Sequence, residues 1–211
     1  MTYTVYHLHS DYSLLDSCTK FVDYVKLAAS QGMKAIASTE HGKPSGWVEK
    51  KMACEKYGLK FIYGVEIYLT ERLEPKVRDN YHTVLLAKNF DGVVEINRLI
   101  ELSTRTDHMY YNNRITFDEF LSISPNVIKI SACIQSPLNK LPHGHPQYMV
   151  LANAYDYYEI QHHNVQEQAE YNRYLFNLSK RTGKPLIAGT DTHSLNAYYA
   201  ECRDILMEYK G

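Results

Sequence analysis

His7 and His9 stand one residue apart in Tyr6-His7-Leu8-His9, so on an extended chain both imidazoles point to the same side and can meet one ion. Alone, such a pair is a weak signal, more often a packing coincidence than a metal site. Further residues of ligand type follow along the chain: Asp16 in S-L-L-D-S, His41 in T-E-H-G, Glu66 in G-V-E, His82 ahead of an apolar run, Cys133 in S-A-C, and Asp191 with His193 in G-T-D-T-H. Imidazole, carboxylate and thiolate are the donors that divalent transition metals take. Five imidazoles, three carboxylates and one thiolate gathered on one face would carry too much polarity to persist without cations. Nine donors exceed the needs of one ion; at about three to five donors each they suit two or three ions, with a carboxylate such as Glu66 as the bridge. Clustered ions lower the pKa of a water from about 15.7 toward about 7 and neutralise charge developing on phosphorus, which is the chemistry of phosphoester hydrolysis.

For these residues to converge, secondary-structure elements must carry them to one place. Apolar or β-branched runs at 3–7, 35–39, 61–65, 83–87, 127–131, 157–160 and 186–188 predict seven strands, each followed by polar or Gly residues. Helical spacing lies between them, in Phe21, Val22, Val25, Ala28 and Ala29 and again in Val93, Ile96, Leu99 and Ile100. This alternation predicts βα units with parallel strands, and seven such units close more naturally into a barrel than spread into an open sheet. A (β/α) barrel keeps its chemistry at the carboxyl ends of its strands, and the candidate ligands fall at or beside the ends of the predicted runs.

The 211 residues, 45% hydrophobic and 22% charged, predict a single soluble domain over 1–211. Twenty-three Lys+Arg against twenty-four Asp+Glu leave a net charge of -1, which excludes binding of nucleic acid or anionic membrane by a bulk basic field; any nucleic-acid contact must be local. The start, MTYTVYHLH, lacks the regions of a signal peptide, and no apolar window is long enough to span a membrane, so no membrane partner and a cytoplasmic setting are expected. The four cysteines form no C-x-x-C pair and fit reduced thiols, with Cys18, Cys54 and Cys202 as small apolar fillers. Tyr171, Tyr174, Tyr198 and Tyr199 fall at helical spacings and are expected to pack inward.

Taken in order, Y-H-L-H-S-D-Y-S-L-L-D-S, S-T-E-H-G, I-Y-G-V-E-I-Y, Y-H-T-V-L-L-A-K-N, S-A-C, Y-Y-E-I-Q-H-H and G-T-D-T-H resemble the PHP (polymerase and histidinol phosphatase) domain. Within that family they resemble the amino-terminal PHP domain of the bacterial DNA polymerase III alpha subunit, over nearly the whole chain from Tyr6 to about Met207. The resemblance implies a distorted (β/α)7 barrel with a trinuclear site of two to three divalent ions (Zn, Mn or Fe). Its ligand positions fall on His7, His9, Asp16, His41, Glu66, His82, Cys133, Asp191 and His193, a full set of nine. Some polymerase-associated PHP domains have lost ligands, so the full set favours metal binding and catalysis. Two departures stand out. Thr39-Glu40-His41-Gly42 replaces the usual T-D-H-G, placing a longer carboxylate beside a ligand, and the segments Ile134-Gln135-Ser136-Pro137 and His143-Gly144-His145-Pro146 differ from the polymerase pattern.

The function implied is a metal-dependent phosphoesterase, a 3′–5′ exonuclease acting on single-stranded DNA or DNA 3′ ends. A small-molecule phosphomonoesterase of the histidinol phosphatase kind and a non-catalytic scaffold module for a DNA polymerase or replication protein are the alternatives. For catalysis, Glu66 bridges the ions, Arg114 or Lys43 clamps non-bridging oxygens, and His193 or His82 protonates the leaving group. The stretch from Arg105 to Arg114 interleaves cations, amides and aromatics, so Tyr110 and Tyr111 can stack bases while Arg114 holds a phosphate; an ordinary polar loop is the plainer reading. Glu159, Gln161 and His162 to Asn164 are expected either to support ligands by hydrogen bonds or to cap the next helix. With no palm, fingers or thumb, the chain is not expected to polymerise DNA by itself.

Overall fold

The computed structural model describes residues 3–210. Contacts separate the chain into two compact units, Met1–Val65 with Thr190–Gly211, and Glu66–Gly189. The first unit carries α1 (Phe21–Ser30), β1 (Ala35–Ser38), α2 (Trp47–Lys56) and the start of β2 (Lys60–Thr70). On α1 the spacing i, i+3, i+4, i+7 buries Phe21, Tyr24, Val25 and Ala28. They pack with Leu8, Ile36, Cys54 and Leu59 as the core of this unit, each large apolar side chain contributing about 1.5–3 kcal/mol on burial.

β1 pairs in parallel with β2, Ala35 opposite Lys60 through Ser38 opposite Tyr63. The strand predicted at 3–7 forms no ladder. Its neighbourhood makes two single parallel bridges, Val5 to Ile36 and Leu8 to Thr192. A side chain does the work of a ladder here: Leu8 N donates to Thr39 Oγ1 at 2.8 Å, and that hydroxyl donates to Leu8 O at 3.1 Å. The segment bearing His7 and His9 is thereby fastened to the end of β1.

The second unit continues β2 and adds β3 (Tyr81–Ala87), α3 (Phe90–Ser103), β4 (Met109–Tyr110), β5 (Asn112–Thr116), α4 (Phe117–Leu121), β6 (Val127–Ile130), α5 (Pro137–Lys140), α6 (Tyr148–Ala154), β7 (Tyr158–Gln161), α7 (Gln166–Thr182) and β8 (Leu186–Gly189). The chain then re-enters the first unit as α8 (Ala197–Lys210). In the second unit the strands adjoin in the order β4, β5, β2, β3, β6, with β7 and β8 as a separate ladder. Val84, Leu85, Ile96, Ile115, Phe120 and Ile130 are buried between sheet and helices. Asn89 caps α3 by accepting from Gly92 N, and Gly92 is required there because a Cβ would come 2.4 Å from the Asn126 carbonyl oxygen.

Two expectations are corrected. The strands are not all parallel: β2–β5 and β7–β8 are, but β3–β6 and β4–β5 run antiparallel. Among the described residues the ladders close no (β/α)7 barrel, and the architecture is mixed α/β. An apolar run reads alike in either direction, and strand direction is set by the α3, hairpin and α4 connection between β3 and β6. Tyr171 is buried as expected, whereas Tyr198 is 68% exposed, because helical spacing does not say which face of α8 is covered.

Candidate metal centre

Six of the nine candidate ligands lie in the first unit, where two carboxylates gather the imidazoles. Asp191 Oδ1 stands 3.2 Å from His7 Nε2 and 3.3 Å from His9 Nε2. Asp16 Oδ2 stands 2.8 Å from His41 Nε2 and 2.9 Å from His193 Nε2. The His9 ring lies against those of both His41 and His193, with centroids 4.1 and 4.4 Å away. One nitrogen from each of His9, His41 and His193 lies within 4.8 Å of the others.

Local structure turns these atoms inward. His193 Nδ1 donates to the Asp191 carbonyl at 2.8 Å, which fixes the ring with its Nε2 facing Asp16 Oδ2 at 2.9 Å. Asp16 is held from the other side by α8: Arg203 Nε donates to the Asp16 carbonyl at 2.8 Å, and Nη2 donates to Oδ1 at 3.0 Å. Burial works to raise the Asp16 carboxyl, but the hydrogen bonds from His193 and His41 outweigh it and hold the group below the usual carboxylate range. Leu15 and Asp191 adopt left-handed backbone, φ 61° and 45°, a conformation that costs a non-glycine residue of order 1–3 kcal/mol and concentrates at functional sites.

Behind the rings lies a group that sequence reading reduced to a departure from pattern. Glu40 is fully buried and paired with Lys50. Burial opposes its charge, but the Lys50 ammonium and the hydroxyls of Ser10 and Ser13 hold its carboxyl low. Only the serines at 10 and 13, flanking the ligand segment, hinted at this in the sequence; Arg203, 187 residues from Asp16, left no signal.

The second unit brings together the other three candidates. Glu66 is buried on β2, and its Oε1 lies 3.0 Å from His82 Nδ1 at the start of β3. Cys133 Sγ approaches the same nitrogen at 3.7 Å. His82 N donates to the Gln135 carbonyl at 3.0 Å, and left-handed Ala132, φ 57°, turns the chain just before Cys133. In each unit, imidazole nitrogen converges with a carboxylate, and in the second with a thiol as well, a donor set that fits divalent transition ions.

Arg114 is not available as a phosphate clamp. It is 1% exposed, and Nη1 donates to the carbonyls of Val77 at 2.7 Å and Asp79 at 3.1 Å. It is a strut under the 71–80 segment. Tyr111 remains outside, 76% exposed at φ 60°, with the Arg78 guanidinium 4.9 Å from its ring centroid. Gln161 is bound to the middle of α7 through Asn172, whose Nδ2 donates to the Gln161 carbonyl at 2.6 Å, and the expected capping of that helix by this stretch does not form, Val165 standing at its N-cap with no side-chain cap.

Residues 6–181 match the PHP domain model, and the chain belongs to the PHP domain family. Its curated relatives include the DNA polymerase III subunit alpha of Borreliella burgdorferi, 32% identical over 95% of this chain. The chain spans 19% of that relative's length. Among solved structures it resembles a protein of Bifidobacterium adolescentis described as a metal-dependent phosphoesterase, with a TM-score of 0.61 at 14% identity over 90% of this chain and 87% of the other. It also resembles Endonuclease Q in complex with a duplex bearing an abasic lesion, with a TM-score of 0.57 at 15% identity over 97% of this chain and 56% of the other. The fold is that of the PHP domain, shared with these structures. Among the described residues, no helix is long and apolar enough to cross a membrane.

Proposed function

We propose that the chain is a metal-dependent phosphoesterase that acts on DNA as a 3′–5′ exonuclease. The observation that carries this reading is the convergence of the His9, His41 and His193 nitrogens, with Asp16 and Asp191 facing them. His7, His9, Asp16, His41, Asp191 and His193 in the first unit, and Glu66, His82 and Cys133 in the second, are the proposed ligands of two to three divalent ions, Zn, Mn or Fe. When bound, such ions supply Lewis-acid polarisation of a phosphoryl oxygen and acidify the attacking water.

The chain's own residues orient and transfer. Arg203 keeps Asp16 turned toward His41 and His193. His193, fixed through its Nδ1, and His82 are the candidates to protonate the leaving oxygen. Kinship with a DNA polymerase subunit and likeness to a DNA-bound endonuclease support DNA as substrate, a replication polymerase as partner and a cytoplasmic setting. Tyr110 and Tyr111 are the proposed base-stacking residues, with Arg78 in the place sequence reading gave to Arg114.

The test is a time course on single-stranded DNA labelled at its 5′ end, with the metal-loaded protein in Mn²⁺. A ladder shortening from the 3′ end is expected. Intact DNA beside hydrolysis of a chromogenic phosphomonoester replaces the exonuclease by a small-molecule phosphatase, and inertness toward both leaves a scaffold.

A further inference from the structure

Ser13 is a junction of three hydrogen bonds within the first unit. Its hydroxyl lies 2.5 Å from Glu40 Oε2, 3.2 Å from His9 Nδ1 and 3.3 Å from the backbone N of His41. A hydroxyl has one hydrogen and two lone pairs. The His41 N–H can only donate, so it takes one lone pair. Glu40 also receives Ser10 N at 3.0 Å, Ser10 Oγ at 2.5 Å and Lys50 Nζ at 2.5 Å. Set among so many donors and against an ammonium, its carboxylate acts only as an acceptor, and the Ser13 hydrogen must go to it. One lone pair of Ser13 remains, and it faces His9 Nδ1, which must supply the hydrogen.

We infer that Glu40 is a positioning residue, which through Ser13 holds His9 with its hydrogen on Nδ1 and its Nε2 lone pair directed at a divalent cation. This rests on the proposal that His9 is a metal ligand. The longer carboxylate of Thr39-Glu40-His41-Gly42 thus sets the tautomer of one ligand while standing beside another in the chain. Lys50, buried between the rings of Tyr12 and Phe21 and bonded to Ser38 Oγ at 2.8 Å, balances the charge that this role buries.

The test is the ¹H–¹⁵N imidazole spectrum of the full chain, metal-free and with Zn²⁺, together with Zn²⁺ affinity by competition with a chromophoric chelator. The wild-type protein is expected to show a His9 Nδ1–H signal protected from exchange. In Glu40→Leu combined with Lys50→Met, which removes both partners and leaves no unpaired buried charge, Ser13 turns its hydrogen to His9. The hydrogen of His9 then moves to Nε2, and Zn²⁺ affinity falls by about tenfold to a hundredfold. A protected Nδ1–H signal and unchanged affinity in a natively folded double variant overturn the inference. Should that variant fail to fold, Ser13→Ala decides: loss of Nδ1–H protection with weakened Zn²⁺ binding supports the role of the chain of bonds, and no change in either overturns it. A wild-type protein that shows the protected signal but binds no Zn²⁺ supports the Glu40–Ser13–His9 chain and rejects His9 as a ligand, so the two failures are separable.

Discussion

The histidine cluster of the first unit and the 105–114 segment of the second draw on the same residue types, yet they send their polar atoms to different ends. In the segment, His108 is buried with Nδ1 at 2.8 Å from Asp107 Oδ1 and Nε2 at 2.9 Å from Glu119 Oε1. Glu119 in turn closes the capping box of α4 with Thr116. Arg114 spends Nη1 on two carbonyls of its own unit. In the cluster, by contrast, imidazole nitrogens from three separate stretches of chain face one another and two carboxylates. Donors that each end on a structural acceptor are consumed by the fold, whereas donors that converge on a shared point can receive a ligand.

Arg114 is the sharpest test on the structural side. Replacing it by Ala should destabilise the protein by about 3 kcal/mol, since hydrogen bonds to a charged group are worth about 1.5–3 kcal/mol and two backbone carbonyls lose their partner. Denaturant titration measures this. An Arg114→Ala protein of unchanged stability that has lost DNA affinity would restore the phosphate-clamp reading.

On the other side, Asp191→Asn should leave the fold intact and lower DNA hydrolysis by about a hundredfold, or roughly 2.7 kcal/mol of transition-state stabilisation. Thermal melts run beside the nuclease assay separate the two effects. Wild-type turnover in this variant would remove Asp191 from the site.

His108 gives the contrast a pH dependence. Burial lowers its pKa, but the bonds to Asp107 and Glu119 more than offset that, and the group is raised above its ordinary value of 6.5. Glu119 is lowered, burial being outweighed by its bonds to His108 and to Thr116. The His108 contribution is therefore fully present below about pH 6.5 and is lost as pH rises through the elevated folded value. The Glu119 contribution is present above about pH 4.5 and is lost as pH falls through its lowered one. Between these limits His108→Gln should cost about 1 kcal/mol, and the cost should shrink by pH 8.5. Stability curves for both proteins at pH 5.5 and 8.5 test it, and a pH-independent difference would mean that folding leaves the His108 pKa unshifted.

Tyr111→Ala should move stability by no more than about 0.5 kcal/mol, as expected for an exposed side chain away from the core. If it also leaves single-stranded DNA binding untouched, the segment is structural throughout and the comparison becomes complete.

Much of this molecule is legible in its sequence. The His7-x-His9 spacing, the donor types at Asp16, His41, Glu66, His82, Cys133, Asp191 and His193, and the apolar stripe of α1 follow from side-chain chemistry and the periods of strand and helix, which act over a few residues. Tertiary structure alone decided the antiparallel run of β3 against β6, the burial of Arg114 beneath carbonyls at 77 and 79, the reach of Arg203 to Asp16, and the pairing of Glu40 with Lys50. Each of these depends on which distant groups meet, and a local pattern is the same whichever partner arrives. Sequence pattern therefore names the donors, and the folded chain determines which of them the structure consumes and which it leaves facing a common point.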